Sequence, residues 1–267
     1  MQSPHTRRIS GWSWSSFRCS HGHFADRHVL LEAALNGTRT RTEHPAIPIT
    51  PEQQALEARA AVDEGADAIH VHVCDASGRE SLAPEDVART LHAIRATCPG
   101  TPVGISTGAW IVPDLCSRLG FIDSWTQLPD MVSVNLHEAG ATHVIRLLLD
   151  KGIGVEAGVW NAPAARTLLD SGLAGHCARI SIEPAEGSAN ARANLHQIED
   201  VLGNVGCPRL LHGLGASAWK FVELAAMRHY DTRTGFEDTL TLPDGSRAQS
   251  NAALVAAARR IVRGVVP

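Results

Sequence analysis

From residue 28 onward the chain repeats one beat: a short apolar run, a turn, then an amphipathic stretch. The runs are VLLEAAL (29–35), AIHVHV (68–73), PVGIST (102–107), MVSVNL (131–136), IGVEAGV (153–159), ARISIEP (178–184) and RLLHGL (209–214), with an eighth expected around MRHYDT (227–232). Between them lie helix-like stretches. PEQQALEARAAVDEGA follows Thr50, a capping residue type, with Pro51 at the first helical position. APEDVARTLHAIRAT, HEAGATHVIRLLLDKG, APAARTLLDSG, ARANLHQIEDVLG, ASAWKFVELAAM and NAALVAAARRIVRG follow, several of them ending in glycine.

Strands that alternate with helices pair in parallel through right-handed crossovers. Seven or eight such units in one domain predict an α/β fold of the (β/α)8 TIM-barrel type with a parallel sheet, rather than an open doubly wound sheet. A length of 267 residues suits one barrel, which takes about 250. Residues 28–267 are therefore expected to form a single catalytic domain. Residues 1–27 are rich in serine, carry two tryptophans and show no period, so they read as a flexible N-terminal extension or an early-assigned start.

Composition narrows the function class. The formal net charge of −4 argues against nucleic acid as a partner. No apolar run is long enough to span a bilayer. The first residues lack the apolar stretch of a secretory leader, so a cytoplasmic location is expected. The six cysteines are scattered and form no CxxC pair, as expected of reduced, buried thiols.

In a barrel the chemistry belongs at the C-terminal ends of the strands. DAIHVHVCD is the most informative such place. Side chains alternate faces along a strand, so Ile69, Val71 and Val73 share one face and His70, His72 and Cys74 the other. Two imidazoles pointing inward side by side suit a zinc-class ion. A lone inward histidine is more often a satisfied core residue, and His21 with His23 repeats the H-x-H pattern with no rigid element to hold it. Cys74, at the start of a loop, reads as a bystander. A catalytic ion wants a third ligand and an open position. RTGFED (233–238), expected just past the eighth strand, offers Arg233, Glu237 and Asp238 on the same rim; the plain alternative is an exposed charged loop.

Taken together, ALNGTRTRTEHPAIPITPEQ, EGADAIHVHV with its DASGRES loop, GISTGA, MVSVN and RTGFEDTLTLPDGSRAQSNAALV resemble the β-keto acid cleavage enzyme family, whose founding activity is 3-keto-5-aminohexanoate cleavage. They occur in family order from residue 29 to about 264. The resemblance implies that His70, His72 and Glu237 bind Zn2+ and that Asp238 with Arg233 forms the acid/base pair. It implies keto-acid contacts from Ser106 and Thr107 in the IST segment and from Ser133 and Asn135 in SVN. The implied reaction takes a β-keto acid and acetyl-CoA to an acyl-CoA and acetoacetate, and the implied assembly is a homo-oligomer, a tetramer. The chain departs from the founder's pattern after Gly37. Thr38 and Arg39 stand where an acidic residue serves a substrate amino group, with Arg39, Arg41 or Glu43 left to fill the space. Glu156 on the fifth strand is a second candidate for meeting a cation, or a salt-bridge partner within the barrel. HGLGAS (212–217) offers glycines before a helix, as a phosphate of CoA would need or as a tight turn would need, with His212 beside the site. Two other functions share these features: a metal-dependent hydrolase on the same barrel, and a non-catalytic metal or acyl-ligand binding protein.

Overall fold

The structure is a computed structural model that describes residues 28–184 and 191–265. The expected N-terminal extension, residues 1–27, lies outside the described residues, as does the His21/His23 pair. Eight strands alternate with eight helices: β1 Leu31–Ala34, α1 Pro51–Asp63, β2 Ala68–Val71, α2 Pro84–Thr97, β3 Val103–Ser106, α3 Leu115–Ser124, β4 Met131–Asn135, α4 Ala141–Asp150, β5 Gly154–Val159, α5 Ala162–Asp170, β6 Arg179–Ile182, α6 Ala191–Leu202, β7 Arg209–Leu211, α7 Ala218–Met227, β8 Thr232–Thr234 and α8 Asn251–Val265. The eight strands pair in parallel, in the order β7-β6-β5-β4-β3-β2-β1-β8. A parallel bridge between Leu210 and Asp231 joins the two ends. The expected (β/α)8 barrel is thus observed, and the apolar faces of its strands carry the buried core against the helices.

Two elements differ from the sequence expectation. The eighth strand begins only at the end of the expected 227–232 segment. Residues 228–230 instead close α7: the amides of Arg228, His229 and Tyr230 donate back to carbonyls of Leu224, Ala226 and Ala225, with His229 in the left-handed region at φ 54°. Arg233 therefore lies inside β8, not in the loop after it. Helix α3 has no counterpart in the expected set. Asp114 caps it by accepting from the Ser117 amide at 2.8 Å, yet its inner face carries Arg118 between Leu115 and Ile122, which breaks the apolar stripe. Helix α1 starts as expected, with Thr50 and Gln53 forming a capping box.

Candidate active site

Strand register sets the site. His70 pairs in register with Ala34 of β1 and Gly104 of β3, and His72 follows directly after the end of β2. Loss of ladder partners at that end is made good by side chains. Asn36 accepts from the His72 amide and donates to its carbonyl, both at 2.9 Å, and Gln54 of α1 donates to the same carbonyl at 2.9 Å. The His72 backbone is thereby fixed as firmly as if the strand continued. Its ring is fixed too: Nδ1 lies 2.5 Å from Glu80 Oε1, and Trp110 Nε1 donates to the other Glu80 oxygen at 2.8 Å while the Trp110 ring stacks on the imidazole. A histidine whose Nδ1–H is taken by a carboxylate presents Nε2 as an acceptor.

Glu237 arrives from the far end of the sequence. Gly235 passes so close to Ala34 that a Cβ there would lie 1.9 Å from the Ala34 carbonyl oxygen. Gly37, at φ +57°, leaves space that a Cβ would take from the Glu237 side chain at 2.5 Å. Asn251, fully buried at the start of α8, accepts from the Phe236 amide at 2.7 Å and donates to the Leu35 carbonyl and Glu57. That staple fixes the backbone next to Glu237. Glu237 Oε2 then lies 3.6 Å from His70 Nε2, and Oε1 lies 3.6 Å from His72 Nε2. One ligand atom from each of the three residues lies within 4.8 Å of the others.

The electrostatics suit a cation. Burial holds His70 down to about 4, so its imidazole is neutral. Burial also opposes charge on His72, but Glu237 and Glu80 outweigh it and lift His72 to about 9, so its ring carries a proton near neutrality that a bound cation would displace. Glu237 stays ionised despite burial, because Arg233 and the two imidazoles hold it well below the usual carboxylate range. Its Oε2 is buried without a hydrogen-bond partner among the described residues. An ionised, partnerless oxygen facing two imidazole nitrogens is a donor set for a divalent ion of the zinc class.

Arg233 joins this corner to the second carboxylate. Its Nη2 donates to Glu237 Oε1 at 2.7 Å and to Asp238 Oδ1 at 2.8 Å, and its Nε donates to His212 Nδ1 at 3.2 Å. His212 Nδ1 also lies 3.4 Å from Asp238 Oδ1, and its Nε2 lies 3.2 Å from Glu183 Oε2. Asp238 is 1% exposed, and its Oδ2 has no hydrogen-bond partner among the described residues.

A cavity of about 310 Å³ opens over His70, His72, Glu237 and Arg233, with Asp238 and His212 set behind its wall and not lining it. His70, His72, Glu237 and Arg233 line one side, and Ser106, Ser133, Asn135 and Glu156 line it from β3, β4 and β5. Thr107 does not line it: its hydroxyl donates to the Ser133 carbonyl at 2.8 Å, so it supports the wall instead of facing the cavity. Glu156 meets the chain's own cation, Arg179, and Arg179 also binds Glu32. Thr38, Arg39 and Glu43 reach the cavity from the β1–α1 loop, while Arg41 turns to the Ile47 carbonyl. In HGLGAS, the Gly215 amide is taken by the Asp238 carbonyl at 2.7 Å and the Ser217 amide by that of Leu214, so two of the donors expected for a phosphate are engaged within the chain. Cys74 is buried and faces no ligand position; its Sγ contacts the His72 carbonyl.

Asn36, Gln54, Glu80, Trp110, Trp160, Glu183 and Asn251 are absent from the sequence-based site. Glu80 sits in DASGRES and Asn251 in SNA, so both motifs were visible without a role.

Comparison with known proteins decides the family. The model of the β-keto acid cleavage enzyme family matches residues 28–265. The chain belongs to that family. It is 26% identical over 260 residues to a 3-keto-5-aminohexanoate cleavage enzyme of Fusobacterium nucleatum, covering 88% of this chain and 90% of that one. A stretch of 80 residues is 35% identical to a 3-oxoadipate:acetyl-CoA acetyltransferase of Cupriavidus necator, covering 30% of this chain and 28% of that protein. Among solved structures, the apo structure of ObcA aligns with a TM-score of 0.64 at 16% identity, over 82% of this chain and 62% of that one, a likeness of fold alone.

Proposed function

We propose that this family member is an acyl-transferring enzyme that converts a β-keto acid and acetyl-CoA to an acyl-CoA and acetoacetate, with zinc at His70, His72 and Glu237. The convergence of those three ligand atoms beside a partnerless Glu237 oxygen carries the reading. A divalent ion held by these three residues would supply Lewis-acid chemistry that eases loss of a proton from the carbon between the substrate's carboxylate and keto group.

The chain's own groups do the rest. Asp238, with its free Oδ2, takes that proton, and Arg233 holds it oriented through Oδ1. The carbanion carbon attacks the acetyl thioester and releases CoA thiolate. The thiolate attacks the former keto carbon, whose bond to the central carbon breaks to leave acyl-CoA and, after return of the proton from Asp238, acetoacetate. Ser106, Ser133 and the Asn135 amide are placed to hold substrate oxygens along the opposite wall. Glu156 stands on the cavity wall with its carboxylate held by Arg179. The assembly is a homo-oligomer, as a tetramer, and its place is the cytoplasm; the five cysteines among the described residues are free, in accord with a reducing compartment. No described helix is long and apolar enough to cross a membrane.

The decisive experiment offers a panel of β-keto acids with acetyl-CoA to the native protein and to Asp238→Asn, and reads acetoacetate. Native protein should turn over at least one keto acid, and the variant should lose about 10²–10⁴ of the rate. Equal rates for both remove Asp238 as the base. Turnover without acetyl-CoA favours a hydrolase.

A further inference from the structure

The turn between β4 and α4 carries a carboxylate, Glu138, that the chemistry above does not use. Its side chain is 8% exposed. One oxygen, Oε1, accepts from the Asn135 amide nitrogen at 3.0 Å, and the other, Oε2, accepts from the Ala109 backbone amide at 2.9 Å. Asn135 lines the cavity from β4, and Ala109 is the neighbour of Trp110, which stacks on His72 and donates to Glu80. Both flanks of this arrangement are cleared by glycine. A Cβ on Gly158 would lie 2.6 Å from Asn135 Oδ1, and one on Gly108 would lie 2.2 Å from the Trp110 ring. The Asn135 amide and the Trp110 loop are thus each seated in one place, and Glu138 is the group that ties them together.

Behind Glu138 lies Arg118 of α3, 1% exposed. Its Nη2 donates to the Ala139 carbonyl at 3.1 Å, and its Nη1 lies 3.6 Å from Glu138 Oε2. Nε and Nη1 have no hydrogen-bond partner among the described residues. The buried guanidinium therefore depends on Glu138 for its counter-charge, which also keeps Glu138 drawn inward with both oxygens turned to its two donors.

We propose that Glu138, backed by Arg118, is a positioning residue for the keto acid. It orients the Asn135 amide toward the cavity and pins the loop that bears Trp110, so that the two sides of the rim hold a fixed separation. This rests on the reading of Asn135 as a substrate contact.

The proposal separates hydrogen bonding from charge, and a set of variants tests each part. Glu138→Gln cannot accept from both donors. It should raise KM for the keto acid about tenfold, the cost of a hydrogen bond to a charged acceptor, with a smaller change in kcat, and should lower the melting temperature because Arg118 is left uncompensated. Arg118→Met with Glu138→Gln removes the stranded charge as well. It should recover the melting temperature while KM stays high. Adding Glu138→Gln to Asn135→Ala should cost little further in KM, because the two act through one contact. Recovery of KM together with stability in the Arg118→Met/Glu138→Gln protein overturns the proposal, as does full additivity with Asn135→Ala. A normal KM in Asn135→Ala sinks the underlying reading of Asn135. A raised KM there with a normal KM in Glu138→Gln sinks the positioning role alone.

Discussion

Two buried networks in this barrel share one recipe, an arginine between two carboxylates, and behave oppositely. Deep in the barrel, Arg179 of β6 binds Glu32 of β1 and Glu156 of β5. At the mouth, Arg233 of β8 binds Glu237 and Asp238. Each network leaves a buried carboxylate oxygen without a hydrogen-bond partner: Glu32 Oε1 in the first, Glu237 Oε2 and Asp238 Oδ2 in the second. What differs is how the charge is settled. Burial, with Glu156 adding to it, outweighs Arg179 and pushes Glu32 up to about 7, so a proton answers its open oxygen near neutrality. Glu237 has two imidazoles beside it as well as Arg233, and stays ionised with its open oxygen aimed at them. The same residue types give a structural brace in one place and a cation site in the other. The surrounding histidines make the difference.

Removing the deeper arginine separates the two networks most strongly. Arg179→Met strands two buried carboxylates and should cost about 3–5 kcal/mol of stability, measured by denaturant unfolding, while zinc affinity stays native. A variant that loses zinc affinity but no stability contradicts the division of labour.

The next test uses pH. Glu32 has its folded pKa raised, from 4.5 to about 7. Its contribution is therefore fully present below pH 4.5 and is lost as pH rises through 7, because the buried side chain must then ionise. Unfolding free energy should fall across that window by up to about 3 kcal/mol from this group. Glu32→Gln should remove that part of the slope, and an unchanged slope assigns it elsewhere.

The smallest effect concerns the rim. Glu80→Gln keeps the shape of the side chain that orients His72 and should weaken zinc binding about 10–100-fold, read by competition with a chelating dye. Native affinity means that Asn36, Gln54 and the strand already hold the imidazole.

Much of this was legible in the chain itself. The alternation of His70 with Val71 and His72 announces an inward pair, and the beat of strands and helices announces the barrel that aims them. What was hidden has physical causes. The eighth strand is three residues long, and its preceding segment spends its amides on closing α7, so no apolar run marks it. Helix α3 conceals itself by burying Arg118. Thr107 and Glu156 look like ligand contacts by position, but the first spends its hydroxyl on Ser133 and the second is held by Arg179. Glu80, Asn36 and Asn251 act on the site through other residues across long stretches of chain, and only the folded backbone brings them there.

The most direct measurement is anomalous diffraction at the zinc edge on crystals of the native protein grown with zinc. One peak is expected in the corner between the His70 and His72 rings, with a Glu237 oxygen bound to it and the cavity side left free. A peak elsewhere, no peak, or a Glu237 carboxylate rotated off the ion toward Arg233 alone contradicts the metal-centred chemistry.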